Sequence, residues 1–391
     1  MAIDVAGDAE VQMLREVAHE FALRTLRPAG QEADETGETP WQAVRAAGEL
    51  GLMGANVPQA YGGPGLKATT LAAVMEELGW GNFGITATIG AASLVAAALL
   101  IAGSEEQKGR YLPRLCSSES PLVGALALTE PESGSEAEIE LEGQAQTLRT
   151  RAERTTGGYR LHGAKRFITN GGPADLTLLL ADIDADSDGG WSLFLIERGQ
   201  EGFRPGRQIP TMGLRGSYTG ELFLENCELP ERAVLGKPGE GMGIVLKVLA
   251  VARTMIASAA VGLARAAYET ALAYSGERRQ FGRPIRDHQL VAGRLATMRL
   301  EIDAARLLVA KAAEELDAGR DAALAAAEAK LFASEMAVRV TQAALQIHGG
   351  YGFTRELPLE MWVRDAIISR IFFGTSEMQL LEIAQHLDQG R

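Results

Sequence analysis

Two cysteines in 391 residues, Cys116 and Cys227, are too few for a disulfide framework. No cluster of cysteine and histidine has metal-ligand spacing, so no metal site is expected. Positive charge is also in short supply: 38 Lys and Arg stand against 51 Asp and Glu, for a formal net charge of −13. That balance argues against nucleic acid and anionic membrane as main partners. The first ten residues are acidic and carry no apolar signal core. The longest apolar run, residues 85–102, is interrupted by Gly, Ser and Thr, and reads as a buried helix rather than a membrane span. Hydrophobic residues make up 46% of the chain, which fits an ordinary folded protein, and the length allows two or three domains. A soluble cytoplasmic protein is expected.

What is present changes in texture along the chain. Residues 1–120 read as helices, at 11–26, 40–50, 68–78 and 89–101. A Gly/Pro-rich loop, residues 58–65, lies between them. Residues 121–235 hold short strand candidates at 122–128, 159–161, 165–168, 176–181, 191–197 and 221–234, separated by Gly, Asp and Asn. Residues 236–391 return to long helices rich in Ala and Leu, at 241–275, 288–317 and 321–348, with a last one at 377–386. The expected fold class is α+β, with a small β-domain between two helical parts.

Five stretches stand out. Leu128-Thr129-Glu130-Pro131-Glu132-Ser133-Gly134-Ser135-Glu136 follows a strand, and its small residues could present backbone N–H groups to a flat, electron-accepting ring. Lys165-Arg166-Phe167-Ile168-Thr169-Asn170-Gly171-Gly172 reads as a strand entering a tight turn. Arg278-Arg279-Gln280-Phe281-Gly282-Arg283-Pro284-Ile285, with His288-Gln289, offers guanidinium groups suited to phosphate oxygens. Gln346-Ile347-His348-Gly349-Gly350 ends a helix on glycines that permit close backbone approach. Last, Phe373-Gly374-Thr375-Ser376-Glu377 is a turn that opens a helix, with Thr375 or Ser376 as cap and Glu377 in the first turn.

Together, in this order and spacing, the five resemble the signatures of the acyl-CoA dehydrogenase family over nearly the whole chain. The resemblance implies an N-terminal helical domain (1–120), a middle β-barrel domain (121–235) and a C-terminal four-helix bundle (236–391). It implies FAD as cofactor, bound without a dinucleotide-binding glycine motif, and a homotetramer. By resemblance, Leu126, Leu128, Thr129, Gly134, Ser135, Phe167, Ile168, Thr169, Thr375 and Glu377 would contact FAD. Arg278, Gln280, Phe281, His288, Gln289, Gln346, Gly349 and Gly350 would reach the FAD of a neighbouring subunit. Ser135, Arg253, Phe373 and Gly374 would meet an acyl thioester carried by CoA or an acyl carrier protein. Electron-transfer flavoprotein or oxygen would take the electrons.

The chain departs from the family pattern where the proton is removed. The family's catalytic glutamate stands just before Gly-Thr, and here that residue is Phe373. Some members carry the base immediately before a characteristic arginine, here Arg253, and that position is Ala252. An aspartate that often holds the carrier's pantetheine arm is replaced by Ala250. Four readings follow: a thioester dehydrogenase with its base elsewhere (Glu356, His348 or Tyr351), a flavoprotein of redox-neutral or monooxygenase chemistry, a partner subunit of a hetero-oligomer, and a flavin-bound structural protein. A phenyl ring at 373 also implies a shortened or redirected acyl pocket.

Overall fold

The computed structural model of the chain describes residues 9–135, 148–183 and 190–387. The N-terminal third is helical: α1 (Ala9–Phe21), a π-helical turn (Ala22–Leu26), α2 (Arg27–Thr36), α3 (Trp41–Glu49), α4 (Ala68–Gly81), α5 (Phe83–Ala102) and α6 (Glu105–Leu115). The apolar run sits in α5, and 72% of its most hydropathic window is buried within the protein. Asn82 starts that helix by accepting from the Ile85 backbone N–H at 2.9 Å. Helix α6 is charged in its first half, and its apolar stripe is confined to Tyr111, Leu112 and Leu115. It forms because Ser104 and Gln107 make a capping box.

Residues 124–235 build one sheet from β1 (Gly124–Ala127), β2 (Arg151–Thr155), β3 (Gly158–Thr169), β4 (Leu176–Ile183), β5 (Gly190–Glu197), β6 (Phe203–Gln208), β7 (Thr219–Pro230) and β8 (Val234–Leu235). The order is β6-β7-β3-β2-β4-β5-β8, with β1 running parallel to β4. Tyr159, Phe194, Leu161 and Ile196 share its core, with the two rings edge to face. The expected strands at 159–161 and 165–168 are one strand, because Gly163 and Ala164 resume pairing with β7 after a register shift at His162. Register shifts between Lys165 and Ile168, so a bulge falls at Phe167.

The remainder is helical again, with α7 (Gly241–Glu277), α8 (Gln289–Asp317), α9 (Ala323–His348), α10 (Leu359–Ile368) and α11 (Ser376–Gln385). A short hairpin, β9 (Arg279–Gln280) and β10 (Arg283–Pro284), joins α7 to α8. Helix α7 is the central pillar, packed on α4, α5, α8 and α9. It meets α4 where Gly79 and Gly262 let the backbones touch. A methyl on Gly262 would overlap the Glu76 carbonyl oxygen, and one on Gly79 the Ala259 carbonyl oxygen. Beside this crossing Glu76 and Glu77, both buried, pair with Arg265 of α7, and Arg306 of α8 and Arg15 of α1 close the cluster. Burial pushes the Glu77 carboxyl up, but hydrogen bonds and charge from Arg265 and Arg15 outweigh it and hold it at about 2.

Two outcomes follow. Alanine is the better helix former by about 1 kcal/mol, yet Gly262→Ala should lower the melting temperature, because the overlap is with rigid backbone and costs about 3 kcal/mol. The depressed Glu77 carboxyl contributes stability that is present above its ordinary range and lost as pH falls through about 2. Thermal melts from pH 6 to pH 2 should therefore show a shallower acid slope for Glu77→Gln than for the parent chain.

Candidate active site

The loop between α10 and α11 is held by its carbonyl groups. Arg253, fully embedded in α7, donates from Nε to the Phe373 oxygen at 3.2 Å. Gln379 Nε2 donates to the same oxygen at 3.3 Å and to that of Gly374 at 3.1 Å. Buried Lys330 of α9 donates to the Gly374 oxygen as well. On the other side Glu335 accepts from Ser376 Oγ at 2.8 Å and Arg370 Nε at 2.7 Å. Thr375 is the cap of α11, accepting from the Met378 N–H at 3.3 Å. Glu377 lies exposed in the first turn, its carboxyl held below its ordinary range by its own backbone N–H and by Thr375.

These contacts force Phe373 into the left-handed region, with φ of 53°. Its N–H has no acceptor among the described residues. Its ring stacks obliquely on Phe372, with centroids 4.9 Å apart, and Phe372 meets Phe83 edge-on. Ala252 is buried in α7 beside Arg253. No side-chain proton acceptor therefore stands at either position.

The first two sequence motifs lie side by side. Lys165 Nζ donates to the Leu128 carbonyl at 3.0 Å and to Glu130 at 2.9 Å, and the Arg166 N–H donates to the Thr129 carbonyl at 2.9 Å. Glu130 also accepts from the Arg149 and Thr150 backbone, so it ties the turn to β2. Burial pulls Lys165 down to about 8 against the opposing pull of Glu130. Phe167, at the bulge, has φ of 59° and is 55% exposed. Leu126, Ile168 and Thr169 lie on the flanking strands, while Gly134 and Ser135 end the turn. Among the described residues nothing lies within 4 Å of where a Gly134 Cβ would be. Glu136 lies outside the described residues.

The third and fourth motifs also meet. Arg278, Gln280, Gly349 and Gly350 line one cleft of about 520 Å³. The His348 ring stacks on Tyr274 at 4.2 Å, and its Nδ1 donates to the Ala344 carbonyl at 2.8 Å. Burial holds that imidazole below its ordinary value. Phe281 projects from the hairpin, 96% exposed and at φ of 51°. His288 starts α8 with Gln289 behind it, and Gln346 lies in the last turn of α9. Glu356, His348 and Tyr351, the candidate replacement bases, all line this cleft and not the surroundings of Phe373.

A separate cavity of about 990 Å³ runs between α4, α5, α7 and α11, walled in part by Leu71, Ala97, Ala250 and Met255. Neither Phe372 nor Phe373 forms part of its wall. Glu382 does, 9% exposed, with Arg253 Nη1 at 3.7 Å. No sequence pattern marks Glu382, Lys330 or Gln379, because their roles depend on which neighbours face them in the fold.

Three family models match the chain: the acyl-CoA dehydrogenase N-terminal domain over residues 8–119, the middle domain over 125–227 and the C-terminal domain over 239–387. The chain belongs to the acyl-CoA dehydrogenase family. An acyl-CoA dehydrogenase of Bacillus subtilis (strain 168) is 40% identical over 385 residues, covering 97% of this chain and 98% of the relative. The solved butyryl-CoA dehydrogenase of Megasphaera elsdenii superposes with a TM-score of 0.91 at 36% identity, covering 97% and 98%. The prolyl acyl carrier protein oxidase AnaB gives 0.89 at 33% identity, covering 98% and 100%. PigA, solved with FAD and proline, gives 0.90 at 30% identity, covering 97% and 98%. This is a flavin oxidoreductase of the acyl-CoA dehydrogenase type, its α+β architecture that of the family.

The clamp on the loop is directly testable. Lys330→Met removes a buried donor from the Gly374 carbonyl, a loss of about 1–3 kcal/mol. Amide exchange across residues 372–378 should then speed up at least tenfold, while exchange in the β1–β5 sheet stays unchanged.

Proposed function

We propose that this acyl-CoA dehydrogenase family member binds FAD and acts on an acyl thioester carried by CoA or an acyl carrier protein, with Phe373 standing where the family's base would be. The observation that carries this reading is the Arg253–Phe373 hydrogen bond. It fixes the loop in the form that leaves the Phe373 N–H without a protein acceptor, ready for a thioester carbonyl oxygen. The residues also suit the cofactor. A half-exposed, strained Phe167 beside the Leu128–Ser135 turn offers a face and backbone groups to a flat ring. Arg278 and Gln280 beside Gly349 and Gly350 offer a cleft to phosphate oxygens. When bound, FAD supplies the acceptor for a hydride from the acyl chain, and an electron-transfer flavoprotein or oxygen takes the electrons onward.

In this reading the chain orients the thioester by its carbonyl and excludes water with the Phe83, Phe372 and Phe373 rings. It supplies no carboxylate at 373 or 252 to take the α-proton. That absence favours a second reading, in which the flavin performs redox-neutral or monooxygenase chemistry. A non-catalytic partner of a hetero-oligomer is the remaining alternative, and it predicts poor FAD retention by the chain alone. Exposed Phe281, Leu290 and Phe353 support an assembly of several copies, a homotetramer by family resemblance.

Anaerobic titration of the FAD-loaded protein with saturated acyl-CoAs and acyl carrier proteins separates the readings. Loss of the oxidised flavin band supports the dehydrogenase; no bleaching with any thioester, together with oxygen consumption or product without net electron transfer, supports the second. A positioned base is worth about 10²–10⁴ in rate. Phe373→Glu should raise the rate of flavin reduction by butyryl-CoA at least a hundredfold. An inert variant would show that the pocket has diverged along with the base.

A further inference from the structure

Among the described residues, three Lys and Arg side chains are buried: Lys165, Arg253 and Lys330. Each donates to a backbone carbonyl of a turn at the site. Arg253 and Lys330 hold the Phe373 and Gly374 oxygens, and Lys165 Nζ holds that of Leu128 at 3.0 Å. The first two shape the loop at Phe373; Lys165 serves a different turn.

Its other partner, Glu130, does not account for it. That carboxylate is already supplied by the Arg149 N–H at 2.7 Å, the Thr150 N–H at 2.9 Å and the Thr150 hydroxyl at 2.6 Å. Burial pulls the ammonium down to about 8 even beside it. A buried ion pair is weak evidence of stabilisation, because apolar side chains of similar volume often serve as well.

The Leu128 carbonyl is the partner with a consequence. Its peptide is trans and planar, so the Leu128 oxygen and the Thr129 N–H point in opposite directions. Pinning the oxygen toward the buried ammonium turns the N–H away from it. The next peptide is pinned at both ends: the Thr129 oxygen accepts from the Arg166 N–H at 2.9 Å, and the Glu130 N–H donates to the Ser133 oxygen at 2.8 Å. The Thr129 N–H itself has no acceptor among the described residues, and Thr129 is only half-buried. Two residues beyond Lys165 on β3 stands the half-exposed ring of Phe167. One lysine thus fixes an unspent donor beside an aromatic face.

We propose that Lys165 is a positioning residue for the flavin: through the Leu128 carbonyl it aims the Thr129 N–H at the ring, and its charge behind that peptide strengthens the N–H as a donor. The proposal rests on the FAD reading of the site. A flavin gains negative charge on reduction, so a polarised N–H against the ring favours the reduced form.

The test is redox titration of the FAD-loaded protein, with thermal melts to confirm folding. Lys165→Met keeps the length of the side chain and loses the donor. Lys165→Met combined with Glu130→Gln removes both charges and spares Glu130 a buried, unpaired carboxylate. In both variants the reduction equilibrium should move at least tenfold against reduced flavin, about 30 mV more negative for a two-electron couple. A role confined to the ion pair predicts the parent potential in the double variant. In the unaltered chain, the Thr129 amide should exchange at least tenfold more slowly with FAD bound than after its removal, measured against Ala152 of β2. A smaller shift in the folded variants, or a Thr129 amide that FAD does not protect, overturns the inference and leaves the FAD reading standing. Should neither variant fold, the amide exchange of the unaltered chain decides alone. A chain that takes up no FAD overturns both.

Discussion

The guanidinium of Arg253 on the Phe373 carbonyl is the constraint on which the site depends. Arg253 is buried in the longest helix of the protein, and a buried cation needs acceptors. It finds one in a loop 120 residues away in sequence. Lys330, equally buried in the next helix of the bundle, does the same for Gly374. Two helices of the C-terminal bundle thus use their interior charges to hold one turn. Because charge-assisted hydrogen bonds are about twice as strong as neutral ones, they keep the turn in a backbone conformation that a phenylalanine would otherwise leave.

The same logic orders the whole molecule around α7. Its N-terminal half carries Ala250, Ala252 and Arg253; its middle carries Gly262 against α4; Arg265, one turn on, enters the ion cluster with Glu76 and Glu77. Close backbone contact and buried ion pairs within a few residues leave α7 little freedom to slide. The cavity, the loop and the N-terminal helices are therefore referenced to one rigid element. A site that must place a carbonyl against a single N–H needs that rigidity, since a displacement near 1 Å is enough to spoil such a contact.

Much of this was legible in the sequence where local chemistry decides structure. Long helices announced themselves by Ala/Leu content, and the strands expected at 176–181 and 191–197 by short apolar runs between Gly, Asp and Asn clusters. Strands β2, RAERT, and β6, FRPGRQ, escaped because one has only Ala152 as an apolar residue and the other carries Pro and Gly. Helix α6 escaped because its apolar stripe, Tyr111, Leu112 and Leu115, is short, although its Ser104/Gln107 capping box was there to be read. At the site, the turns around Leu128, Phe167, Gly349 and Phe373 were legible because glycines and hydroxyls mark them. Lys330, Gln379 and Glu382 were not. Nothing in a one-dimensional pattern says that a lysine and a loop carbonyl 44 residues later face each other.

Strain gives the last step. Among the described residues only six non-glycine positions have positive φ, and three of them, Phe167, Phe281 and Phe373, are phenylalanines within the five motifs. A bulky residue there costs on the order of 1 kcal/mol or more and persists only where surrounding contacts overdetermine it. For Phe373 those contacts are visible: Arg253, Gln379 and Lys330 grip carbonyl oxygens, not the side chain. The geometry of the turn is thus independent of what residue 373 carries. A phenyl ring at 373 offers no proton acceptor, yet the backbone stays gripped and its N–H has no acceptor among the described residues. Holding a backbone N–H in place and carrying a proton acceptor on the side chain are physically separable, and the contacts around Phe373 supply only the first.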